Sequence, residues 1–200
     1  MTKTLKAEDK IKEAARSLFI EKGYEATRTR DIAEKSGINL ALLNYYFKSK
    51  SQLFEMIMLE TFQHFMKGVL STLNDPNTSL TEKLEQFVDS YIDMLMSQPN
   101  LPYFIIGELK NKPGHLLEII QQKETILQSV FFQQLRAKMP DTSPQASMQI
   151  LVNLTSLTIF PFLAKPMIKG ISHMSDPEFK KMMLERKKLI PKWIKMILDN

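Results

Sequence analysis

Three residues at a fixed spacing, Ala33, Gly37 and Leu43, most constrain how the stretch from 27 to 50 can fold. A small residue at Ala33 lets a second helix cross closely. Gly37 can adopt the positive φ that a tight turn after a helix requires. Leu43 fixes the inner face of the second helix to the core. The spacing predicts a helix-turn-helix. An ordinary short helix pair of an α-helical protein is the alternative, because Ala, Gly and Leu are common residues.

Local capping signals agree with this interpretation. We expect Thr27 to cap a helix that starts at Arg28, and Asn39 to cap the next one. We expect Ser49 or Ser51 to cap the long helix that follows. The outer face of the second short helix carries a polar and aromatic surface that fits a DNA major groove, namely Asn39, Leu40, Ala41, Asn44 and Tyr45.

The composition narrows the class of protein. The 200 residues are 44% hydrophobic, which is enough for a buried core, and they contain no cysteine, so no disulfide or thiol chemistry is expected. The N-terminus has no apolar stretch typical of a signal peptide, and no run approaches eighteen apolar residues. We therefore expect a cytoplasmic protein with no membrane span.

The charge is unevenly distributed along the chain. Residues 1–50 carry a formal charge of +4, residues 51–175 carry −2 and residues 176–200 carry +3. The first basic block fits phosphate binding. The last block fits the solvated face of an amphipathic helix, with a second nucleic-acid surface as the alternative.

Nearly all of the chain has helical periodicity, and hairpin signals are absent. The pattern predicts an all-α fold of nine helices, at about 8–22, 28–35, 39–46, 49–73, 80–97, 102–110, 115–138, 144–169 and 177 to the C-terminus. Gly170 to Pro177 is expected to be a loop. Pro161 and Pro191 fall inside predicted helices, so either the helices bend there or the boundaries differ.

The first fifty residues resemble the DNA-binding domain of the TetR/AcrR family of bacterial regulators. The resemblance lies in KIKEAARSLFIEKGYEATRTRDIAEKSGI and LLNYYFKSKSQLF, a quarter of the chain matched without a gap. It implies a three-helix DNA-binding domain at 1–50 and a six-helix ligand-binding and dimerisation domain at 51–200. One residue departs from the family pattern, because Asn44 replaces a usual aromatic residue. Asparagine can bond adenine in a bidentate way, so this position bears on operator choice.

The resemblance also implies a DNA-contacting set. Arg28 has a side chain that can read guanine, and Lys48 and Lys50 match phosphate contacts. For Tyr46 local packing is an equal alternative, and for Leu42 a partial core position is. The predicted DNA-binding residues are Thr27, Arg28, Thr29, Asn39, Leu40, Ala41, Leu42, Asn44, Tyr45, Tyr46, Lys48 and Lys50.

Methionine and phenylalanine are abundant after residue 50, with 13 Met and 12 Phe in the chain. Flexible Met side chains suit adaptable apolar cavities, whereas plain core is the alternative for each single residue. We expect a pocket for a small apolar or amphipathic effector between helices four and seven, lined by Phe62, Phe65, Met66, Tyr91, Met94, Tyr103, Phe104, Glu108 and Phe131.

The resemblance implies that the last two predicted helices form a four-helix bundle with a second copy of the chain. Packing inside one chain is the alternative for each of these residues. The predicted dimer-interface residues are Leu151, Leu154, Thr158, Phe162, Trp193, Ile194 and Ile197.

Catalytic and metal signatures are missing from the sequence. His64, His115 and His173 share no ligand spacing, and no catalytic triad or glycine-rich phosphate loop is visible. We therefore expect no catalytic residues, no metal and no cofactor. The resemblance implies a homodimeric repressor that binds a pseudopalindromic double-stranded operator and is released by an effector, although some relatives activate transcription or need a corepressor. A helical sensor or scaffold without DNA binding is the second hypothesis, and an enzyme that uses the helical cavity is the third.

Overall fold

The computed structural model describes residues 6–112, 126–139 and 143–199, together with 114, 116 and 118. Every regular element in these residues is helical, which confirms the predicted all-α fold. Much of the predicted seventh helix, including His115, lies outside the described residues. The ten described helices are α1 (Ala7–Ala26), α2 (Thr29–Ser36), α3 (Leu40–Tyr46), α4 (Lys50–Asn74), α5 (Leu80–Ser97), α6 (Leu101–Asn111), α7 (Val130–Arg136), α8 (Pro144–Leu163), α9 (Lys165–Ser172) and α10 (Asp176–Leu198).

The predicted eighth helix is two helices, so the predicted boundary at residue 169 is wrong. α8 ends at Leu163, and Pro166 occupies the first turn of α9, where its missing N–H leaves no hydrogen bond unmade. α9 continues to Ser172, so the expected loop from Gly170 is shorter. His173 then adopts a left-handed conformation with φ 54°, and α10 begins two residues after Met174.

Pro161 lies inside α8 rather than at its end, and a residue of another helix compensates for it. A proline cannot donate to the carbonyl four residues earlier, which here belongs to Leu157. Arg186 of α10 donates from Nη2 to that oxygen at 2.7 Å. The guanidinium also lies 5.1 Å from the centroid of the Trp193 ring. This contact ties α8 to α10 and explains how the helix continues through the proline.

We expect Arg186→Met to lower the free energy of unfolding by about 2 kcal/mol, because a charged donor is lost and the Leu157 carbonyl is left without a partner. The methionine retains part of the apolar packing area. Urea unfolding followed by circular dichroism measures the difference. Lys188→Met, at an exposed position two residues further along α10, is the control. Equal stability of the two variants would contradict this role of Arg186.

Two apolar clusters form the core, and α4 contributes to both. The first contains the inner faces of α1 to α3, the first half of α4, and Leu101 and Ile105 of α6. The second contains the end of α4 with α5, α7, α8 and α10. Because residues of α6 complete the first cluster, packing does not stop at residue 50, where the sequence places the domain boundary.

α8 is the one described helix that is long and apolar enough to cross a membrane by length and composition alone. Its most apolar window is 33% buried, and α8 packs against α5, α6 and α10. Core helices of globular proteins meet the same length and composition criteria. The remaining apolar face of α8 is left without a partner within the described chain.

Candidate DNA-binding surface and ligand grooves

The turn between α2 and α3 has the geometry that the spacing predicts. Gly37 has φ 67° and follows the last residue of α2. The Ile38 N–H donates to the Ala33 carbonyl and the Gly37 N–H to Glu34, each at 3.1 Å, so the last carbonyls of α2 are satisfied. Ala33 and Leu43 are both buried. The helix-turn-helix is therefore held by local backbone bonds and by the core together.

α3 begins with a side-chain cap, as predicted. The Asn39 Oδ1 accepts from the Leu42 N–H at 2.8 Å, and the Ser49 hydroxyl similarly caps α4 by accepting from Gln52. Because its oxygen is used in this way, Asn39 presents its Nδ2 group, a donor, to any partner outside the protein.

Most of the outer face of α3 is exposed. Tyr45 is 81% exposed and Tyr46 42%, and their rings meet edge to face at 5.6 Å. Asn44 and Ala41 are exposed, whereas Leu40 and Leu42 are half-buried. The face therefore offers a phenol, an amide and a methyl group on a short helix, and the two leucines form its apolar edge.

Thr27 does not cap α2, so that prediction is wrong. The side chain is buried, and its hydroxyl donates to the Gly23 carbonyl at 2.7 Å, with the Leu18 carbonyl at 3.2 Å. α2 begins at Thr29, and the Arg28 N–H lies 3.5 Å from the Asp31 carboxylate. Thr27 closes the turn after α1 and lies beneath the surface, whereas Arg28 is exposed and Thr29 half-buried.

Lys50 also has partners inside the protein. Its Nζ donates to the Tyr24 carbonyl at 2.9 Å and the Thr27 carbonyl at 3.0 Å, and lies 4.2 Å above the Tyr24 ring. These carbonyls end α1 and precede α2, so the ammonium joins the start of α4 to the α1–α2 turn. Lys48, two residues earlier, is exposed. Of the two predicted phosphate-binding lysines, Lys48 is the one that projects outward.

Eight of the nine predicted effector-pocket residues are buried, or are half-buried and pack against the core. Phe62, Tyr91 and Phe131 are buried in the two apolar clusters, and Glu108 is buried on α6. Burial raises the pKa of the Tyr91 hydroxyl well above its usual value, so this group is neutral at any physiological pH. The half-buried members pack against the same clusters, and they are Phe65, Met66, Met94 and Phe104.

Three of the predicted pocket residues line open grooves. Phe65 and Met94 line a groove of about 670 Å³ between α1, α4 and α5, which we call the junction groove. Tyr103, half exposed, lines another of about 570 Å³ where α5 and α6 meet the ends of α8 and α10. The junction groove also contains residues that the sequence analysis missed, namely Arg16, Glu60, Thr61, Gly68, Val69, Thr72, Gln86, Phe87, Ser90, Ser97 and Gln98, together with His64.

One signal for the junction groove was present in the sequence. Thr61, His64, Gly68 and Thr72 recur every three or four residues, so they form a small and polar stripe along the otherwise apolar α4. Such a stripe leaves space beside a neighbouring helix. The partner helices could not be identified from periodicity.

Ion pairs at one end of the junction groove join α1 to α4. Lys12 Nζ lies 2.7 Å from a Glu60 oxygen, and Arg16 donates to the Thr61 hydroxyl. Burial alone would lower the pKa of Lys12, but its hydrogen bonds to Glu60 and Glu8 outweigh burial and raise it. The Glu60 carboxylate is thus balanced by two cations, because Arg16 Nη2 also lies 3.7 Å from it.

The predicted dimer-interface residues divide into two groups. Leu154, Thr158, Phe162 and Ile194 are buried in the chain's own core, which is the alternative left open by the sequence. Leu151 and Trp193 are half-buried, and Ile197 is 48% exposed. Other apolar residues of the same two helices are exposed, namely Met148, Val152, Phe160, Leu184, Leu189 and Met196.

No group of three or more His, Asp or Glu side chains within the described residues is arranged to hold a metal ion. The geometry that remains is a short helix with an exposed polar and aromatic face, supported by a basic N-terminal unit and joined to a helical body that contains open grooves.

Comparisons with known proteins agree with this architecture. Residues 11–57 match the sequence profile of the bacterial regulatory proteins of the tetR family. The chain is 28% identical over 198 residues to the "Probable HTH-type transcriptional regulator YttP" of Bacillus subtilis, covering 94% of this chain and 92% of that protein. It is 32% identical over 109 residues to IcaR, the negative transcriptional regulator of the biofilm operon icaADBC in Staphylococcus aureus, covering 50% of this chain and 58% of IcaR.

A solved structure supports the fold over the whole length. GusR of Salmonella enterica superimposes with a TM-score of 0.62 at 20% identity, covering 100% of this chain and 99% of that one. The profile match covers the helix-turn-helix, and the match to YttP extends through the helical body. The protein is a helix-turn-helix transcriptional regulator of the TetR family.

Proposed function

We propose that this regulator is a repressor that binds a pseudopalindromic operator as a homodimer and is released by a small effector. The observation that carries the proposal is the exposed face of α3, held on the Gly37 turn by the buried Leu43. In this proposal residues 1–50 bind DNA, and residues 51–200 bind the effector and dimerise. Because its target is chromosomal DNA, the regulator acts in the bacterial cytoplasm.

The proposed DNA contacts are made by the exposed side chains of α3 and of the residues beside the helix-turn-helix. α3 enters the major groove with Ala41, Asn44 and Tyr45 toward the bases, because these side chains have no role in the core. Arg28, just before α2, and Lys48, just after α3, reach phosphates or a guanine edge. The charge of +4 in residues 1–50 supplies the electrostatic part of the affinity.

Repression is favoured over activation by one relative. IcaR is a negative regulator, and its match to this chain covers half of the present residues. A repressor of this kind needs only to occupy DNA and exclude other proteins. No surface for contacting the transcription machinery is required.

A dimer is supported by apolar surface that the single chain leaves exposed on α8 and α10. Met148, Val152 and Phe160 follow one another at multiples of four residues, so they form one stripe along α8. Leu189 and Met196 lie on α10, which packs against α8. A second copy covers both stripes in a four-helix arrangement. The two α3 helices must then lie about 34–36 Å apart to reach successive major grooves.

We expect Val152→Glu to convert the dimer to a monomer, because it places a charge in the middle of the α8 stripe. Sedimentation equilibrium distinguishes a mass of 23.2 kDa from one of twice that value. Ile20→Glu replaces an exposed β-branched residue of α1 in the same way and should leave the dimer intact. A dimer that persists in Val152→Glu at micromolar concentration would exclude this surface as the interface.

The effector is expected to be apolar or amphipathic, since the grooves of the helical body combine aromatic and methionine side chains with scattered polar groups. To change a population from 99:1 to 1:99, the effector must favour the released state by about 5.5 kcal/mol. Affinity without such a preference would leave repression unchanged.

A titration of the protein against DNA from its own upstream region tests the proposal. Fluorescence anisotropy is measured with a scrambled duplex as the control, over a series of salt concentrations. We expect saturable binding at two or four subunits per site, with the scrambled duplex bound far more weakly. Equally weak binding to both duplexes would leave only the electrostatic contribution, and would favour a sensor or scaffold that acts through protein contacts.

A further inference from the structure

The exposed face of α5 carries four acidic side chains, which we call the acidic stripe. They recur every three or four residues, so they lie on one side of the helix, and they are Glu82, Glu85, Asp89 and Asp93. Glu82 accepts hydrogen bonds at the start of α5, whereas Asp89 and Asp93 share the ammonium group of Lys187 at 2.8 and 2.6 Å. Glu85 has no partner among the described residues. The stripe therefore carries more negative charge than its one cation neutralises.

The neighbouring helix α10 carries four exposed lysines, which we call the basic stripe. They lie on one side of α10, and they are Lys181, Lys188, Lys192 and Lys195. None of them forms an ion pair with a described residue. Leu189 and Met196, which belong to the proposed α8–α10 dimer surface, directly follow two of these lysines, and one residue turns a helix by about 100°. The basic stripe therefore lies on a different side of α10 from that surface.

A groove of about 710 Å³ separates the two stripes. Glu85 and Asp89 line it on α5, and Lys188, Lys192 and Lys195 line it on α10. Opposite charges thus face the same open space without being joined across it. The groove is left with unpaired charges of both signs, and each sign belongs to a different helix.

The two helices run antiparallel, which sets the charges level with one another. The end of α5 and the start of α10 line one groove together, and Lys187 lies beside Asp89 further along both helices. Glu85 is about one turn nearer the start of α5 than Asp89, and Lys192 is about one turn nearer the end of α10 than Lys187. Glu85 is therefore level with Lys192.

A partner with one sign of charge does not fit this face. The phosphates of a DNA duplex or of an anionic membrane would be attracted to α10 but would meet the carboxylates of α5. A fitting partner presents acidic groups to α10 and basic groups to α5. The chain itself has this pattern, because its α5 is acidic and its α10 is basic.

The symmetry of a pair of identical chains selects one arrangement. With a twofold axis that runs along the groove, parallel to both helices, α5 of each copy lies over α10 of the other at the same level. Glu85 of each copy then faces Lys192 of the other. An axis across the groove would place α5 over α5, which opposes acid to acid.

We propose that the groove between α5 and α10 is a contact surface for a second copy of the chain, in which the acidic stripe of each copy pairs with the basic stripe of the other. Exposed ion pairs contribute little each and are screened by salt, so this contact is weak and is absent at micromolar concentration. It is distinct from the proposed dimer contact through α8, and it does not depend on the repressor function.

The direction of the axis gives the contact a consequence for DNA binding. α4 leads away from the DNA-binding unit and α5 returns toward it, since Asp75 and Lys83 meet at the turn between them. The axis is parallel to α5, so both copies present α3 at the same end. In the proposed repressor the contact therefore joins two dimers that occupy neighbouring operators, and this step rests on the proposed function.

Sedimentation velocity tests the contact without DNA, at protein concentrations from micromolar to several hundred micromolar. At about 20 mM salt we expect the average mass to double over this range, and at about 0.5 M salt we expect no increase. A constant mass at both salt concentrations would overturn the proposal. An increase that persists at high salt would also overturn it, because the contact would not be electrostatic.

Glu85→Lys and Lys192→Glu test which charges pair. We expect each variant alone to lose the low-salt increase in mass, because like charges then face each other twice in the pair. An equimolar mixture of the two variants should regain it, since every changed residue faces the opposite charge. Glu25→Lys and Lys67→Glu make the same charge changes at exposed positions of α1 and α4, and they should associate like the unmodified protein.

Three results would contradict this pairing. A mixture that does not associate, or controls that fail equally, would mean that net charge and not the two stripes controls the association. Association lost in Lys192→Glu but kept in Glu85→Lys would remove α5 from the contact. Unchanged association of Lys192→Glu together with weaker binding to a scrambled duplex would show that the basic stripe binds nucleic acid instead.

The consequence for repression is measured separately, on a duplex with two copies of the operator side by side at a series of spacings. A bound dimer raises the local concentration of its neighbour to about the millimolar range, so a weak contact can tighten binding of the second dimer about tenfold. We expect this cooperativity in the unmodified protein and in Lys67→Glu, and its loss in Lys192→Glu. Association in solution without cooperativity on DNA would overturn the role in repression. Association by a protein that does not distinguish its upstream duplex from scrambled DNA would refute the repressor function and leave the contact intact.

Discussion

Asn44→Asp should lower operator affinity by about 100-fold or more, which corresponds to about 2.7 kcal/mol. The substitution is isosteric, and Asn44 is exposed on α3, so the fold is retained. The carboxylate cannot donate to adenine N7 or to a phosphate, and it faces the negative DNA across a partly dehydrated interface. In a dimer this loss of contact occurs once in each of the two subunits. Anisotropy titration against the upstream duplex measures the change at constant salt.

Asn77→Asp is the matched control, since it alters the net charge equally in an exposed turn between α4 and α5. We expect less than a threefold change in affinity for this variant. The salt dependence separates the two parts of the effect, because a purely electrostatic penalty would shrink as salt rises. An affinity of Asn44→Asp within threefold of the unmodified protein would mean that α3 does not read the operator.

The parts of this structure that the sequence predicted correctly depend on neighbours within a few residues. Asn39 caps α3 through the N–H three residues on, and Gly37 ends α2 through its own φ. These features depend on residue type and on short spacing. The same applies to the all-α class, because helical periodicity repeats along most of the chain.

The sequence pattern does not reveal contacts whose partners lie outside the local helix or turn. Thr27 has the residue type of a cap, but its hydroxyl bonds carbonyls four and nine residues earlier. The partners of Lys50 are 23 and 26 residues earlier. Pro161 stays within α8 because Arg186, on another helix, bonds the carbonyl that the proline frees. None of these partners can be found from local pattern.

The residues predicted for the dimer interface show a second limit of prediction from sequence. α8 is apolar on more than one side, so periodicity identifies apolar positions without telling which side faces the chain's own core. Leu154 and Val152 differ little as residues, yet the first is buried and the second is 53% exposed. The side facing the core is decided by the placement of α5 and α10, and that placement is a property of the whole fold.

Lys83→Met should lower the free energy of unfolding by about 3 kcal/mol, because the three hydrogen bonds of a buried ammonium group are lost. Lys83 is fully buried near the start of α5, and the sequence gives no sign of this. Its Nζ donates to the Asp75 carbonyl at 2.6 Å, the Thr78 carbonyl at 2.7 Å and the Thr78 hydroxyl at 2.6 Å. The ammonium therefore holds the turn between α4 and α5.

Apart from these hydrogen bonds, burying a lysine at this position is unfavourable. A cation near the N-terminus of a helix opposes the helix dipole, so only the specific contacts with the turn offset its burial. Methionine keeps much of the apolar stem, and the comparison therefore isolates the ammonium group.

Thermal unfolding should shift downward by roughly 6–12 °C for a chain of this size. Lys67→Met, at an exposed position of α4, is the control and should shift the midpoint by less than 2 °C, since surface substitutions usually change stability by under about 0.5 kcal/mol. If Lys83→Met changed stability no more than this control, the ammonium group would not be what holds the turn.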